Sequence, residues 1–365
     1  MEKGYKILGN YIRLVDERNK NLAVTKLLGV SISKKFIPSI ANIVGTDLSN
    51  YKIVRTGQFT YGPVTSRNGE KISIAYLDEE DCIISSSYTV FEVENKEELD
   101  PEYLMLWFSR PEFDRYARYK SHGSVREIFD WNELCMVELP VPDIEKQRKI
   151  VKAYKTITDR IDLKQKINDN LEATTYAKFQ EMFQQNKALL FSGTTIDGYS
   201  IEPLSFLADF KYGKMASPEI LCDKGYPIYS GYRVVGYCNR YMFKEPQLVV
   251  LARGVSGTGE VRISPPYCHL TNLSIAVLLK DRTYMNYLLY YLENDNLISL
   301  DSGSAQSQIT INDLSAHKIM LPSYDEVVAF DNIAKKLLKI IDTNNQEIER
   351  LEELKTVLLT TISSC

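Results

Sequence analysis

The sequence predicts an α+β fold in which two β-rich mixed domains alternate with two long helices that pair as an antiparallel coiled coil, in a pseudo-two-fold arrangement. Three observations lead to this prediction. Residues 123–172 match residues 303–352 at a constant offset of 180. Short β-prone runs separated by Gly, Pro and Asn-Gly turns precede each matching stretch. Within each stretch the hydrophobic period then changes to that of a helix.

The repeat is ungapped, and both copies run in the same order: a Gly-Ser pair, a polar and apolar run, a proline, and a long helix. A repeat of this length has the size of a domain plus a connector and is far longer than a solenoid unit. The identical positions, each of which recurs 180 residues later, are Gly123, Ser124, Asn132, Leu134, Pro142, Lys155, Ile161, Asp162, Leu171 and Glu172.

Residues 1–142 form the first predicted domain. Their β-prone runs lie at 51–54, 71–76 and 82–85, and Asn68-Gly69 is the strongest hairpin signal of the chain. A helix is expected from Pro101 to about residue 110, because proline is favoured in the first turn. The second predicted domain, residues 191–322, has the same texture, with strands at 225–231, 247–252, 259–263 and 274–279 and a helix at 284–292.

Residues 143–190 and 323–365 are the predicted helices. The second carries a heptad seam with polar breaks at Asn344 and Lys355, and the first has Lys164 and Asn168 at seam positions. Some forty helical residues span roughly 60 Å, so each helix needs a partner along its length. We expect the two helices to pair with each other; since heptads do not identify the partner, a homotypic dimer is the alternative.

Composition indicates an ordinary globular chain of 365 residues, with 44% hydrophobic and 25% charged residues. No run resembles a signal peptide or a membrane span, and six scattered cysteines are typical of a reducing compartment, so a cytoplasmic location is expected. The neighbours Cys268 and His269 lack the further ligands of a zinc site. The net charge of -4 hides basic stretches at 52–76 and 110–126 that can form a nucleic-acid surface.

At Leu139-Pro-Val-Pro142, Glu145 and Gln147 the chain resembles the specificity subunit of type I restriction-modification enzymes. The preceding Gly-Ser segments match the lead-in of that family, and the resemblance covers the whole chain. It implies target recognition domains at 1–142 and 191–322, a central helical spacer at 143–190 and a C-terminal helical spacer at 323–365. The second copy has Val327 in place of Gln147, so a docking role of the glutamine does not carry over to it.

The resemblance implies a subunit without chemistry of its own. Each domain would read one half of a bipartite, asymmetric site in double-stranded DNA, while the paired helices set the spacing of the halves. The helices would also dock two methyltransferase subunits, which bind S-adenosylmethionine, and a restriction motor subunit would cut the DNA. On this interpretation the chain itself holds no cofactor and no metal.

Candidate DNA contacts are polar, basic and aromatic side chains in the turn-rich segments, because these side chains bind base edges or phosphates. In the first domain they are Arg55, Gln58, Tyr61, Arg67, Asn68, Lys71, Ser86, Ser87, His122, Ser124 and Arg126. In the second they are Tyr212, Lys214, Ser230, Tyr232, Arg233, Arg253, Ser256, Thr258, Asn272, Ser304, Gln306 and Gln308.

Two other functions remain open. Ser264-Pro-Pro-Tyr267 and the glycines of 255–259 resemble the catalytic and cofactor motifs of a stand-alone DNA adenine methyltransferase. Ser264 follows Gly259 by only five positions, whereas that enzyme needs whole βα units there, so a strand and a turn explain both. A coiled-coil scaffold with no DNA role is the other alternative. Nucleotide-binding glycine motifs of the Walker and Rossmann types are absent.

Overall fold

The structure is a computed structural model that describes residues 4–39, 45–66, 68–123, 126–254, 257–300 and 308–362. The chain divides into two compact units, Met1–Lys164 with Gln346–Cys365, and Gln165–Asn345. Both boundaries fall inside long helices, so each unit contains one β-rich domain and part of each helix. This confirms the predicted mixed fold, with a long helix between two β-rich domains.

The first unit is built from short strands, three short helices and the first part of a long one. Its strands are β1 Tyr5–Ile7, β2 Ile12–Val15, β3 Leu28–Val30, β4 Phe36–Pro38, β5 Lys52–Val54, β6 Phe59–Tyr61, β7 Ile74–Tyr76, β8 Cys82–Ile84, β9 Thr89–Val93 and β10 Glu138–Pro140. Its helices are α1 Pro101–Phe108, α2 Pro111–Tyr119, α3 Trp131–Cys135, the start of α4 Ile144–Phe179 and the end of α8 Tyr324–Thr361.

The second unit continues from α4 through a π-helical turn at Gln180–Gln184. Its helices are α5 Gln185–Phe191, α6 Tyr284–Glu293, α7 Ile311–Ala316 and most of α8 Tyr324–Thr361. Its strands are β11 Ser200–Pro203, β12 Ala208–Tyr212, β13 Leu221–Cys222, β14 Tyr226–Tyr229, β15 Val234–Cys238, β16 Leu248–Leu251, β17 Val261–Ile263, β18 His269–Leu270, β19 Ser274–Leu279 and β20 Lys318–Leu321.

The central sheets of the two units have the same topology. In the first the strand order is β2-β9-β6-β7, and in the second it is β12-β19-β16-β17, with every neighbouring pair antiparallel. Buried aromatic and aliphatic residues fill one side of each sheet; Phe59 and Phe91, for example, stack at 5.0 Å. The repeat therefore extends through the domains, where the sequences no longer align.

In both units, the strand that leaves the domain, the closing strand, pairs with the strand that enters it, and it lies within the segment that matches at the offset of 180. Strand β1 pairs antiparallel with β10, and β11 pairs antiparallel with β20. The hydroxyl of Tyr103 donates to the carbonyl of Pro140 at 3.0 Å, and that of Tyr287 donates to the carbonyl of Met320 at 2.6 Å. Since Pro140 and Met320 differ by 180, the same tyrosine contact ties the domain helix to the closing strand in both units.

Gln147 is a structural residue in the first turn of α4. Its side chain is fully buried; Nε2 donates to the carbonyls of Glu98 at 2.9 Å and Pro142 at 2.8 Å, and Oε1 accepts from the Asp100 amide at 2.9 Å. Val327, the matching residue of the second copy, is equally buried within an apolar core. The glutamine thus fastens the start of α1 to the start of α4 in the first unit.

The long helices pair antiparallel in each unit. In the first, Nζ of Lys164 lies 2.8 Å from Glu347, and Tyr154 lies near Lys355 further along α8. In the second, the seam residues Asn168 and Asn344 are both 7% exposed, and the Asn344 amide donates to Oδ1 of Asn168 at 2.8 Å. Of the predicted polar breaks, Asn168 and Asn344 therefore face each other, whereas Lys164 pairs with Glu347 and Lys355 pairs with Glu352. In the described part of the chain, no helix is both long enough and apolar enough to cross a membrane.

Candidate nucleic-acid interface

In the first unit, three loops meet at the sheet edge where β6 ends and β7 and β9 begin. The loops are 62–73, 85–88 and 121–129. The amide of Thr65 donates to the carbonyl of Glu127 at 2.9 Å, and the amide of Phe129 donates to the carbonyl of Pro63 at 2.9 Å. This arrangement, the loop edge of the first unit, brings together Asn68, Lys71, Ser86, Ser87, His122 and Arg126.

In the second unit, the loops at the corresponding edge of β12, β16, β17 and β19 meet in the same way. The amide of Ile309 donates to the carbonyl of Ala252 at 2.9 Å, and the amide of Ala252 donates to the carbonyl of Leu273 at 2.8 Å. The hydroxyl of Ser274 donates to the carbonyl of Ser230 at 3.0 Å. This loop edge of the second unit brings together Lys214, Tyr232, Arg233, Arg253, Asn272 and Gln308.

The described residues next to the repeated Gly-Ser pairs lie at this edge. The β-bridge between Val64 and Ile128 corresponds to that between Arg253 and Gln308, and residues 128 and 308 differ by 180. Gly123 has φ of +141°, and a Cβ there would lie 2.1 Å from the carbonyl oxygen of Arg126, so only glycine fits this turn. The offset seen in the sequence therefore marks the segment that adjoins the loop edge.

The cations of both loop edges are open to solvent. Lys71, Arg126, Lys214, Arg233 and Arg253 are exposed, and within the described residues none of them forms an ion pair. Unpaired lysine and arginine side chains are those that neutralise phosphates and release counterions on binding nucleic acid. Both edges thus combine free positive charge with amide and hydroxyl groups.

Three of the DNA contacts predicted in the first domain do not lie at the loop edge, and their assignment is corrected. Arg55 lies at the opposite end of the sheet, where it pairs with Glu17 and, at 2.7 Å, with Asp81; both carboxylates raise the pKa of the Arg55 guanidinium. Gln58 is 6% exposed and donates to Glu92 at 2.8 Å. Tyr61 is fully buried in the core. A turn-rich sequence does not show at which end of a strand each residue will lie.

Three candidates of the second domain also have structural positions. The Tyr212 hydroxyl accepts from the Ile311 amide at 3.0 Å, which holds the start of α7. Thr258 is 7% exposed and donates to the carbonyl of Gly254 at 3.3 Å. Ser230 is 8% exposed and donates to the carbonyl of Arg233 at 3.1 Å. All three side chains hold the loops in place, and those of Thr258 and Ser230 are turned away from solvent.

Five further candidates lie outside the described residues: Arg67, Ser124, Ser256, Ser304 and Gln306. Conversely, sequence reasoning did not identify Thr65 and Ser121, whose hydroxyl groups are 2.9 Å apart and join two loops of the first edge. This contact spans 56 residues of sequence. Only a tertiary structure reveals such a pair, because neither residue belongs to a local motif.

The motifs that resemble a methyltransferase have structural roles. Ser264 follows β17 directly; its side chain is 3% exposed and its hydroxyl accepts from the amide of Gln247 at 3.0 Å. The prolines and Tyr267 form the turn between β17 and β18, and Thr258 and Gly259 form the turn before β17. One three-residue strand therefore separates the two motifs. Among the described residues, no group of histidine, cysteine and carboxylate side chains has the arrangement of a metal site.

Comparison with known proteins gives a consistent result. Residues 20–173 and 207–356 each match the family model described as the Type I restriction modification DNA specificity domain. The type I restriction enzyme HindI specificity subunit of Haemophilus influenzae is 24% identical over 184 residues, which cover 49% of this chain and 40% of that relative. This chain thus spans well under two thirds of that relative's length.

Two further proteins match over nearly the whole chain. The putative type I restriction enzyme MjaX specificity subunit of Methanocaldococcus jannaschii is 21% identical over 364 residues, with 92% of this chain and 85% of that protein covered. The crystal structure of the type I restriction-modification S subunit from M. genitalium has 15% sequence identity and a TM-score of 0.67, and the match covers 98% of this chain and 95% of that one. The latter likeness shows a shared fold.

Proposed function

The chain belongs to the type I restriction modification DNA specificity family, and we propose that it is the DNA-recognition subunit of a type I restriction-modification complex. In this proposal each unit reads one half of a bipartite, asymmetric site. The observation that carries it is the loop edge, which recurs at the same end of the same sheet in both units with cations that have no ion-pair partner among the described residues.

The side chains of the two edges fit both tasks of a DNA reader. Lysine and arginine bind phosphates, and arginine also binds the O6 and N7 atoms of guanine in a bidentate manner. Asn68 and Asn272 offer the amide groups that pair with the adenine edge. The two edges have the same sheet topology but different side chains, so we propose that the two half-sites differ in sequence.

The antiparallel helix pair is the proposed spacer. Helix α4 has 36 residues and α8 has 38. At 1.5 Å per residue, α4 is about 54 Å long. Because both helices run through the boundary between the units, their length would set the gap between the half-sites, much as dimer geometry does in two-fold DNA-binding proteins.

The chemistry would belong to other subunits. We propose that two methyltransferase subunits, which hold S-adenosylmethionine, dock on this chain, one for each repeat, and that a restriction subunit can join them. No catalytic residue is assigned to this chain. Because its proposed ligand is chromosomal and invading DNA, we place the complex in the cytoplasm.

The test is to co-express the chain with its methyltransferase subunit and to map methylated adenines across the host genome. We expect one bipartite, asymmetric motif with a fixed unspecified gap. A continuous or palindromic motif would refute the model of two readers. Exchanging residues 198–322 for those of a relative should alter one half-site only, and deleting one helical turn from both α4 and α8 should shorten the gap alone.

Two controls separate the alternatives. Binding of S-adenosylmethionine by the isolated chain would favour a stand-alone methyltransferase. Binding of DNA by the complex without sequence preference and without salt dependence would favour a scaffold, because phosphate contacts always make affinity fall with salt.

A further inference from the structure

The first unit contains an open groove that the loop edge does not use. Its cavity measures about 560 Å³ and lies between α1, α2 and the strands β1 and β10. Cavities of this size hold small ligands or the side chains of a partner protein. Its wall is formed by Tyr5, Trp107, Phe113 and Tyr116, with Arg110 inside and Met136 at the rim.

Arg110 is a buried cation with too few partners. Its side chain is 7% exposed, and its guanidinium lies 4.2 Å from the centre of the Trp107 ring. The nearest carboxylate oxygen, on the half-exposed Glu112, is 3.5 Å away, and the Nε atom is buried with no acceptor among the described residues. A guanidinium has five N–H donors, and leaving them unpaired in a buried site costs free energy. Glu112 and Glu138 also line the groove, but among the described residues neither accepts a hydrogen bond from Arg110, so its guanidinium has N–H donors left for a further anion.

The second unit shows what covers the same position there. Trp107 follows Tyr103 by four residues, as Tyr291 follows Tyr287, and these two tyrosines make the equivalent bonds to their closing strands. Tyr291 is covered by helix α5, whose Lys187 places its Nζ atom 4.2 Å from the ring centre and 3.2 Å from Asp295. Leu190 of the same helix is buried in the core.

The charges of the two positions are arranged in opposite ways. In the second unit, the covering helix supplies the cation and the domain supplies the carboxylate of Asp295. In the first unit, the domain itself supplies the cation, Arg110. A carboxylate on a covering helix would therefore complement Arg110. Helix α5 of a second copy does not fit, because its Lys187 would face Arg110.

We propose that the groove of the first unit docks a short amphipathic helix of the methyltransferase subunit, with a carboxylate on Arg110 and an apolar side chain over Trp107 and Tyr116. This inference rests on the proposed function, which requires that subunit as a partner. A charge-assisted pair with a buried guanidinium is the strongest contact such a helix can form there.

The test measures the affinity of the full-length chain for its methyltransferase subunit by calorimetric titration. Arg110→Met keeps an unbranched side chain on Trp107 and removes the cation, and Met136→Asp adds a carboxylate at the exposed rim, where folding is not at risk. The matched control is Arg115→Met, because Arg115 lies on α2, which Arg110 precedes, is 66% exposed and pairs with the same Glu112 at 3.1 Å.

We expect Arg110→Met and Met136→Asp each to weaken the complex by about tenfold or more, and Arg115→Met to change it less than about twofold. The melting temperature of the isolated Arg110→Met chain should not fall, since the variant removes an unsatisfied cation; a merely structural role would lower it. Parent-like affinity of both groove variants would overturn the inference, as would a loss of binding to the restriction subunit alone. A parent chain that fails to bind the methyltransferase would instead overturn the proposed function, and the inference with it.

Discussion

Replacing Gln147 with valine tests how the first unit fastens its domain to the long helix. The second copy already has valine at the matching position, residue 327, so the substitution introduces a side chain that the equivalent position of the second unit accommodates. In the first unit it removes the three hydrogen bonds to Glu98, Asp100 and Pro142. At about 1 kcal/mol for each bond, the free energy of unfolding should fall by about 3 kcal/mol.

The two tryptophans of the chain make the assay specific. Trp107 on α1 and Trp131 on α3 both belong to the first unit, so tryptophan fluorescence during denaturation in urea reports the unfolding of that unit alone. The control is Lys149→Val, an exposed position of α4 within the same unit, which carries the same cost of a β-branched residue in a helix. If the two variants unfold within about 0.5 kcal/mol of each other, the buried bonds contribute no net stability and the reasoning is wrong.

Three further predictions follow from the contacts described. Asn168→Leu removes the hydrogen bond that the buried Asn344 amide donates to Asn168, and it should lower the free energy of unfolding by about 1–3 kcal/mol. Leucine at both positions should recover most of the loss; an additive double variant in chemical denaturation would contradict this. Arg126→Ala and Arg253→Ala should each reduce the slope of log affinity for DNA against log salt by about 1, measured by fluorescence anisotropy with the assembled complex; unchanged slopes would remove these residues from the interface. Burial raises the pKa of Asp295, but the hydrogen bond from His317 and the charge of Lys187 outweigh it and hold that pKa below its ordinary value. The carboxylate therefore stabilises the fold above about pH 4 and loses this contribution as the pH falls through its folded pKa. Asp295→Asn should therefore make the free energy of unfolding depend less on pH in the acid range. An unaltered dependence on pH would refute the stabilising role of the carboxylate.

The long helices were the most predictable part of the fold, because a heptad seam is a local pattern. Even the polar breaks were informative: Asn168 and Asn344 were predicted at seam positions, and they bond to each other. What the sequence did not determine was the partner, since the same seam suits a second copy. In the structure, contacts within each unit join the two helices of one chain.

The sheets were harder to predict because their order depends on distant residues. Asn68-Gly69 does lie in the turn region that joins the antiparallel strands β6 and β7, as the hairpin signal indicated, but the loop runs from residue 62 to 73. The strand between Phe59 and Tyr61 is fully buried, which places Tyr61 in the core although turn residues follow it directly. Nothing in the local pattern distinguishes such a strand from one with a free face.

The closing strand pairs, β1 with β10 and β11 with β20, bring the two ends of each domain of this chain next to each other. In an antiparallel pair, the main chains lie about 5 Å apart, so the segment that leads into a domain runs beside the segment that leaves it. Ile201 pairs with Met320, and all the loop-edge residues of the second unit lie between them in sequence. The intervening chain can therefore be exchanged by recombination without moving its two points of attachment. New binding preferences would then arise through a single crossover event at each junction, while the helices keep their register.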